Sequence, residues 1–157
     1  MDNINEDFIE LYQTIGRSFG LDDVFNMIFA KLYIEPNEVA MDDLADETGY
    51  SLASICNKVK MLEAMGIIKK MRKPGSKKIF LYIEKDFSKL IKEHLVKKEE
   101  YCIKLIQEKV PDMINKYKNK AKSKRDIEKL KILENYYSQI IKFKKVIEHL
   151  RKDIENM

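Results

Sequence analysis

The chain has no tryptophan, five glycines, three prolines and two cysteines among 157 residues. Each scarcity excludes something. An all-β protein turns about every ten residues and draws on glycine and proline to do so, which this composition does not support. Cys56 and Cys102 lie far apart with no Cys-x-x-Cys spacing, whereas a structural zinc site needs four soft ligands. Only His94 and His149 could supplement the two thiols, and both sit in lysine- and glutamate-rich surroundings. Neither a metal site nor a disulfide framework is expected, and this cysteine usage suits a reducing compartment. Apolar runs fall short of the ~20 residues that a membrane span requires. With no secretory signal pattern either, the expectation is a cytoplasmic protein with no membrane contact. Also missing are a glycine-rich phosphate loop, a nucleophile motif and a metal-ligand cluster, so neither an enzyme nor a bound cofactor is expected.

What the chain does have is charge, on 36% of its residues, beside 45% hydrophobic residues to build a core. Lysine, glutamate, isoleucine and leucine dominate, mostly helix formers, so the expected fold class is mainly α. The charge is unevenly spread. Residues 1–50 hold two bases, Arg17 and Lys31, against twelve acids, a balance of −10. Residues 51–157 hold the other 28 bases and 14 acids, a balance of +14. A sign reversal within one small chain suggests a partner for the basic part, although a solvated lysine-rich surface would read the same way.

Hydrophobic spacing divides the chain. Phe8, Leu11, Tyr12, Ile15 and Phe19 fall on one face of a first helix, capped at Asn5 and stopped at Gly20. A second helix starts after Asp22, turns Val24, Phe25, Ile28, Phe29 and Leu32 inward, and ends before Pro36, whose predecessor avoids helical angles. A third, over 42–48, buries Leu44 and Ala45 and sets Asp42 and Asp43 at the positive end of its dipole. Ser51 caps a fourth, which runs to about residue 65 and closes at Gly66. The period then shortens to that of strands at 67–72 and 79–84, joined through Lys73-Pro74-Gly75-Ser76-Lys77-Lys78, with Val39-Ala40-Met41 as a further short strand.

Beyond Asp86 the pattern is helical again. Phe87, Leu90, Ile91, Leu95, Cys102, Leu105 and Ile106 line one side of a long helix that Pro111 should kink or interrupt. Ser123 opens a last helix in which Leu130, Leu133, Tyr137, Ile140, Phe143, Ile147, Leu150 and Ile154 recur close to the steps of a coiled-coil seam. Ile132, Tyr136 and Ile141 widen that apolar face beyond what a lone helix can leave in water. The expected organisation is therefore a domain at 1–85 followed by long dimerisation helices at 86–157, joined through Leu130, Leu133, Tyr137, Ile140, Phe143, Ile147 and Leu150. An intramolecular hairpin of the two helices is the alternative. Tyr101, Tyr117, Tyr136 and Tyr137 could line a cavity for an unidentified small-molecule effector, between the domain and the dimer helices.

Helix, short turn and helix over 42–65, followed at once by a basic hairpin, is the order of a winged helix-turn-helix, whose second helix enters the major groove. In that helix Leu52, Ile55, Val59 and Leu62 make an inward stripe, leaving Ala53, Ser54, Asn57, Lys58, Lys60 and Met61 outward. Ser54 and Asn57 can bond base edges, and asparagine can pair two-fold with adenine. Ala53 permits close approach, and Lys58 and Lys60 can reach phosphates, which position the protein without reading sequence. In the hairpin, Lys69, Lys70, Arg72, Lys73, Lys77 and Lys78 occur with no acid among them and repel one another unless an anion is near. The Pro74-Gly75 bend would carry Arg72, Lys73, Gly75, Ser76, Lys77 and Lys78 toward a groove or its phosphates. Cys56 follows Ile55 on the buried flank and reads as small apolar filler rather than a redox switch.

These residues carry a resemblance. Residues 16–85 resemble the MarR superfamily of winged-helix regulators, most closely its GbsR-like branch. The matching stretches are Gly16-Arg17-Ser18-Phe19-Gly20, Asp43-Leu44-Ala45, Ser51-Leu52-Ala53-Ser54-Ile55, Leu62-Glu63-Ala64-Met65-Gly66-Ile67-Ile68, and Gly75-Ser76-Lys77-Lys78 followed by Tyr82. The resemblance implies a homodimeric transcription regulator joined by its terminal helices; the leading expectation is a repressor that occupies a promoter on double-stranded DNA. It places DNA contacts on Ser51, Ala53, Ser54, Asn57 and Lys58, with the wing at 72–78. Cys56 stands where relatives often carry serine. A winged helix that docks another protein through its acidic surface and reads no bases is the alternative.

Overall fold

The computed structural model describes residues 3–157, the side chain of residue 100 excepted. Along it run α1 (Ile4–Ser18), α2 (Asp23–Ile34), β1 (Val39–Ala40), α3 (Met41–Thr48), α4 (Leu52–Ala64), β2 (Ile68–Arg72) and β3 (Ile79–Ile83). There follow α5 (Phe87–Lys98), a π-helical turn (Glu99–Ile103), α6 (Lys104–Lys118) and α7 (Lys124–Glu155). The chain is mainly helical with a small antiparallel sheet, and forms two compact units, Met1–Leu90 and Ile91–Met157.

The first unit is organised around α2. Phe25, Met27, Ile28, Ala30 and Leu32 are buried on it, and Leu44 and Ala45 of α3 and Ile55, Val59 and Leu62 of α4 complete the helical part of the core. β3 is the central strand, flanked by β1 and β2. Its alternation sends Leu81 and Ile83 into the core, opposite Lys70 and Ile68 of β2. Phe80 and Tyr82 face the other way, beneath the ammonium groups of Lys73 and Lys85 at 4.3 and 4.9 Å from the ring centroids. Local chemistry sets the helix starts: the Asp22 carboxylate accepts the Phe25 amide at 2.9 Å, and the Ser51 hydroxyl accepts the Ser54 amide at 3.2 Å.

α1 departs from its sequence pattern. It is capped by Asn3, not Asn5. Phe8 and Tyr12 pack against Phe29 and Tyr33 of α2, whereas Leu11, Ile15 and Phe19 are exposed, because the contact with α2 is narrower than the apolar stripe. Gly16 explains where the two helices meet: a Cβ there would lie 2.0 Å from the Asn26 Oδ1. Asn26 is only 4% exposed and donates to the Leu21 carbonyl at 3.4 Å. Leu52 likewise departs from the inward stripe of α4; as the first helical residue it projects beyond the core and is exposed.

The second unit is a helical hairpin. Gln107 of α6 meets Lys144 of α7, Glu99 meets Arg151, and Met113 and Tyr117 face Leu130 and Leu133. Stepping back along one helix advances along the other, so the two run antiparallel. Two expectations are corrected. Pro111 does not interrupt α6, which continues through it with the loss of one amide donor, and a π-turn lies instead at Glu99–Ile103. That turn inserts one residue into the period and shifts the covered face from Cys102 and Leu105, both exposed, to Ile103 and Val110, both buried.

α7 carries two stripes. Leu130, Leu133, Tyr137, Ile140, Lys144, Ile147, Arg151 and Ile154 are at least partly covered and step by three and four residues throughout. The polar members, Lys144 and Arg151, bond Gln107 and Glu99. Phe143 and Leu150 do not belong to this side. They lie on an outer stripe with Ile132, Tyr136, Gln139 and Val146, all exposed and also at heptad steps.

Candidate nucleic-acid interface

The surface built by α4 and the hairpin starts from Ser51. Its side chain accepts the capping hydrogen bond, and Ser51, Leu52 and Ala53 are all exposed at this end of α4. Ile55, Val59 and Leu62 anchor the helix, and each is fully buried. Asn57, Lys60 and Met61 are then exposed, while Ser54 and Lys58 are half-buried. The Asn57 side-chain carboxamide makes no hydrogen bond within the described residues and is available to an outside partner. Cys56 is half-buried and packs against the core, as a small filler does.

The β2–β3 connection is shaped by two residues. Pro74 and Gly75 occupy the centre of a turn in which the Ser76 amide donates to the Lys73 carbonyl at 3.1 Å. Gly75 has φ +79°, which a side chain would strain and glycine accepts. The Ser76 hydroxyl then accepts the Lys78 amide at 3.1 Å, closing the turn. Arg72, Lys73, Lys77 and Lys78 are exposed around this bend.

Several of these cations already have anions. Lys58 of α4 bonds Asp22 at the start of α2. Lys73 meets Glu38 at 3.2 Å, and Lys78 meets Asp43 of α3 at 2.6 Å. Lys70 meets Glu63 at 2.6 Å, bracing β2 against α4. Burial alone would raise the Asp22 carboxyl, but hydrogen bonds from Lys58 and the Phe25 amide outweigh it and hold the group below its ordinary value. Glu38 is held low by its own backbone amide and by Lys73, and Lys78 is raised by its hydrogen bond to Asp43. Lys60, Arg72 and Lys77 have no carboxylate partner among the described residues. Sequence reasoning singled out the cations but missed Asp22, Glu38, Asp43 and Glu63 as their partners. For Asp22, Glu38 and Asp43 the signal was the −10 balance of residues 1–50, read there as a surface of its own.

Elsewhere, the α6–α7 hairpin holds an open pocket of about 510 Å³ lined by Met113, Tyr117, Lys120, Lys129, Leu130 and Leu133. Of the four tyrosines expected to line a cavity between the domain and the dimer helices, Tyr117 borders this pocket, which lies within the hairpin instead, and Tyr101, Tyr136 and Tyr137 do not. Among the described residues no group of three or more His, Cys, Asp or Glu side chains is placed to share a metal ion. No described helix is long and apolar enough to cross a membrane.

No family model and no curated protein matches the sequence. A solved structure of a transcriptional regulator does match in three dimensions, with a TM-score of 0.75 over 99% of this chain and 100% of that one, at 13% sequence identity. The similarity extends through both units and shows a fold shared with a regulator of transcription.

Proposed function

We propose that the chain is a homodimeric, sequence-specific DNA-binding regulator of transcription, a cytoplasmic repressor of the MarR-like, GbsR-like kind. In this reading residues 1–85 form a winged helix-turn-helix and 86–157 the dimerisation region. α4 enters the major groove, where Ala53, Ser54, Asn57 and Met61 face bases while Ser51, Lys58 and Lys60 lie toward the backbone. Arg72, Lys73, Gly75, Ser76, Lys77 and Lys78 form the wing.

One observation carries the proposal. α4 turns an uncommitted Asn57 and exposed Ala53 and Lys60 away from the core, immediately before a cationic turn that is itself exposed. Asparagine and small residues suit base edges, and lysines suit phosphates. The likeness to a solved transcriptional regulator adds support at the level of fold.

For the dimer, the outer stripe of α7 is the better contact. Leu130, Leu133, Tyr137, Ile140 and Ile147 are already partly or fully covered within one chain. Ile132 remains 69% exposed, and Tyr136, Phe143, Val146 and Leu150 are exposed with it. Their heptad steps suit a second copy, and Gln139 within the stripe is the kind of polar position that fixes register. Two recognition helices would then meet major grooves about 34 Å apart. The hairpin cavity is the place for a small-molecule effector.

The alternative, an acidic surface that docks a protein, is weakened because Asp22, Glu38 and Asp43 are already paired with lysines of the same chain. Selection of bound duplexes from a random pool at physiological salt tests the leading reading. A palindromic winner is expected, with binding abolished by Lys77→Glu/Lys78→Glu. A pool that shows no enrichment sinks sequence-specific recognition.

A further inference from the structure

Three acids of the first fifty residues, Asp22, Glu38 and Asp43, are folded against cations of the proposed DNA surface, and the geometry points to a function for that arrangement. We propose that Asp22, Glu38 and Asp43 are internal phosphate mimics that hold Lys58, Lys73 and Lys78 until a duplex displaces them. The inference rests on the DNA-binding reading above and adds a control over its affinity.

Three features of the pairs carry it. Each acid comes from a different place: the cap of α2, the α2–β1 connection and the first turn of α3. Each acid lies 35 or 36 residues from its lysine, so these are tertiary pairings and not neighbours along one helix. Every lysine involved belongs to α4 or the wing.

The chemistry is competitive. A carboxylate oxygen and a phosphate oxygen are equivalent partners for an ammonium group. Bringing both to one lysine places two anions side by side, which like-charge repulsion opposes. The pairs are also accessible: the side chains of Asp22 and Asp43 are about half exposed and that of Glu38 a third. A duplex can therefore exchange one anion for the other without unfolding anything. Because exposed ion pairs are individually weak, they moderate binding and do not forbid it. Lys60, Arg72 and Lys77, which have no carboxylate partner among the described residues, make the first contacts. Lys58, Lys73 and Lys78 follow as their carboxylates are displaced.

The test compares Asp22→Asn/Glu38→Gln/Asp43→Asn with a control of equal charge change on α1, Glu6→Gln/Asp7→Asn/Glu10→Gln. Asparagine at 22 keeps the α2 cap, since it is as good a cap as aspartate. The probe is a fluorescein-labelled duplex of mixed sequence, about 30 base pairs, titrated in low salt and followed by anisotropy. Exposed pairs span about two- to fivefold each, so the first variant should bind about tenfold or more tightly than wild type, and the control within about twofold. In a Lys58→Ala/Lys73→Ala/Lys78→Ala background the same three acid substitutions should gain no more than the control.

Equal gains in the two variants overturn the inference while leaving DNA binding intact. So does weaker binding by the first variant, since the acids would then be positioning the lysines. If neither the wild type nor any variant binds, the DNA reading itself fails and takes the inference with it. Binding by the acid variant alone would be the strongest support. Melting curves establish that each variant is folded, and Asp43→Asn against Glu10→Gln supplies the comparison should a triple variant not fold.

Discussion

α4 and α7 are both amphipathic helices with one side held in a core, and they differ in what the other side presents. α4 turns out Ala53, Asn57 and Lys60; α7 turns out Ile132, Tyr136, Phe143, Val146 and Leu150. The inward sides are alike in spacing, although α4 buries Ile55, Val59 and Leu62 completely and α7 buries Ile147 among half-covered neighbours. The outward sides select opposite partners. A hydrated, polar surface beside cations suits a polyanion with hydrogen-bonding edges, whereas an apolar heptad stripe gains most from a second apolar surface. Burial patterns thus build the fold, and the chemistry of the uncovered face separates a groove reader from a dimer contact.

The comparison breaks most visibly on α7. Phe143→Glu with Val146→Glu places two charges in the outer stripe without touching the inner one. Self-association should weaken by at least about 100-fold, because truncating central apolar contacts already costs ~2 kcal/mol or more at each hot spot. Sedimentation should report a monomer, with helix content unchanged because both side chains are exposed in the single chain. A molar mass that does not move would remove the outer stripe from the dimer.

On α4 the two sides can be set against each other within three residues. Ile55→Ala leaves a cavity in the core and should cost about 2–5 kcal/mol in stability by chemical denaturation. Asn57→Ala should change stability by under about 0.5 kcal/mol and cost about 1–3 kcal/mol in discrimination at one base position. If Asn57→Ala instead melts the domain, its side chain has a structural partner and the groove assignment is wrong.

How much of this was legible in the sequence follows the same division. Ile55, Val59 and Leu62 of the inner stripe of α4, the Ser51 cap, the Pro74-Gly75 turn and the strand order β2 then β3 rest on local patterns, and the structure has them where those patterns point, Leu52 excepted. What spacing could not supply was which of two adjacent apolar stripes a neighbour covers. Leu130 and Phe143 look equivalent in a heptad count, and only the packing of α6 separates them. Cys102 was misplaced because a π-turn adds one residue to the period with no proline or glycine to announce it. The acid partners of Lys58, Lys73 and Lys78 were invisible individually, since pairings across 35 residues depend on the tertiary fold; only the lopsided charge hinted at them.

The smallest effect concerns pH, and it should be alike in the two units. Asp22 and Glu38 in the first unit and Glu155 in the second have carboxyl groups held below their ordinary values. Lys58 and the Phe25 amide outweigh burial at Asp22; at Glu38 the residue's own amide acts first and Lys73 second; at Glu155 the partner is Lys92. A lowered folded value means that the stabilisation is present above the unfolded value and disappears as pH falls through the folded one. From pH 8 to 5 these groups should therefore leave the melting temperature unchanged, and below about pH 4 it should fall. Asp22→Asn and Glu38→Gln should flatten that fall slightly in dilute buffer. At about 1 M salt the difference should vanish, because exposed charges are then screened within ~3 Å. A fall that stays equally steep in the variants, or persists at high salt, would mean that buried groups and not these pairs set the acid limit.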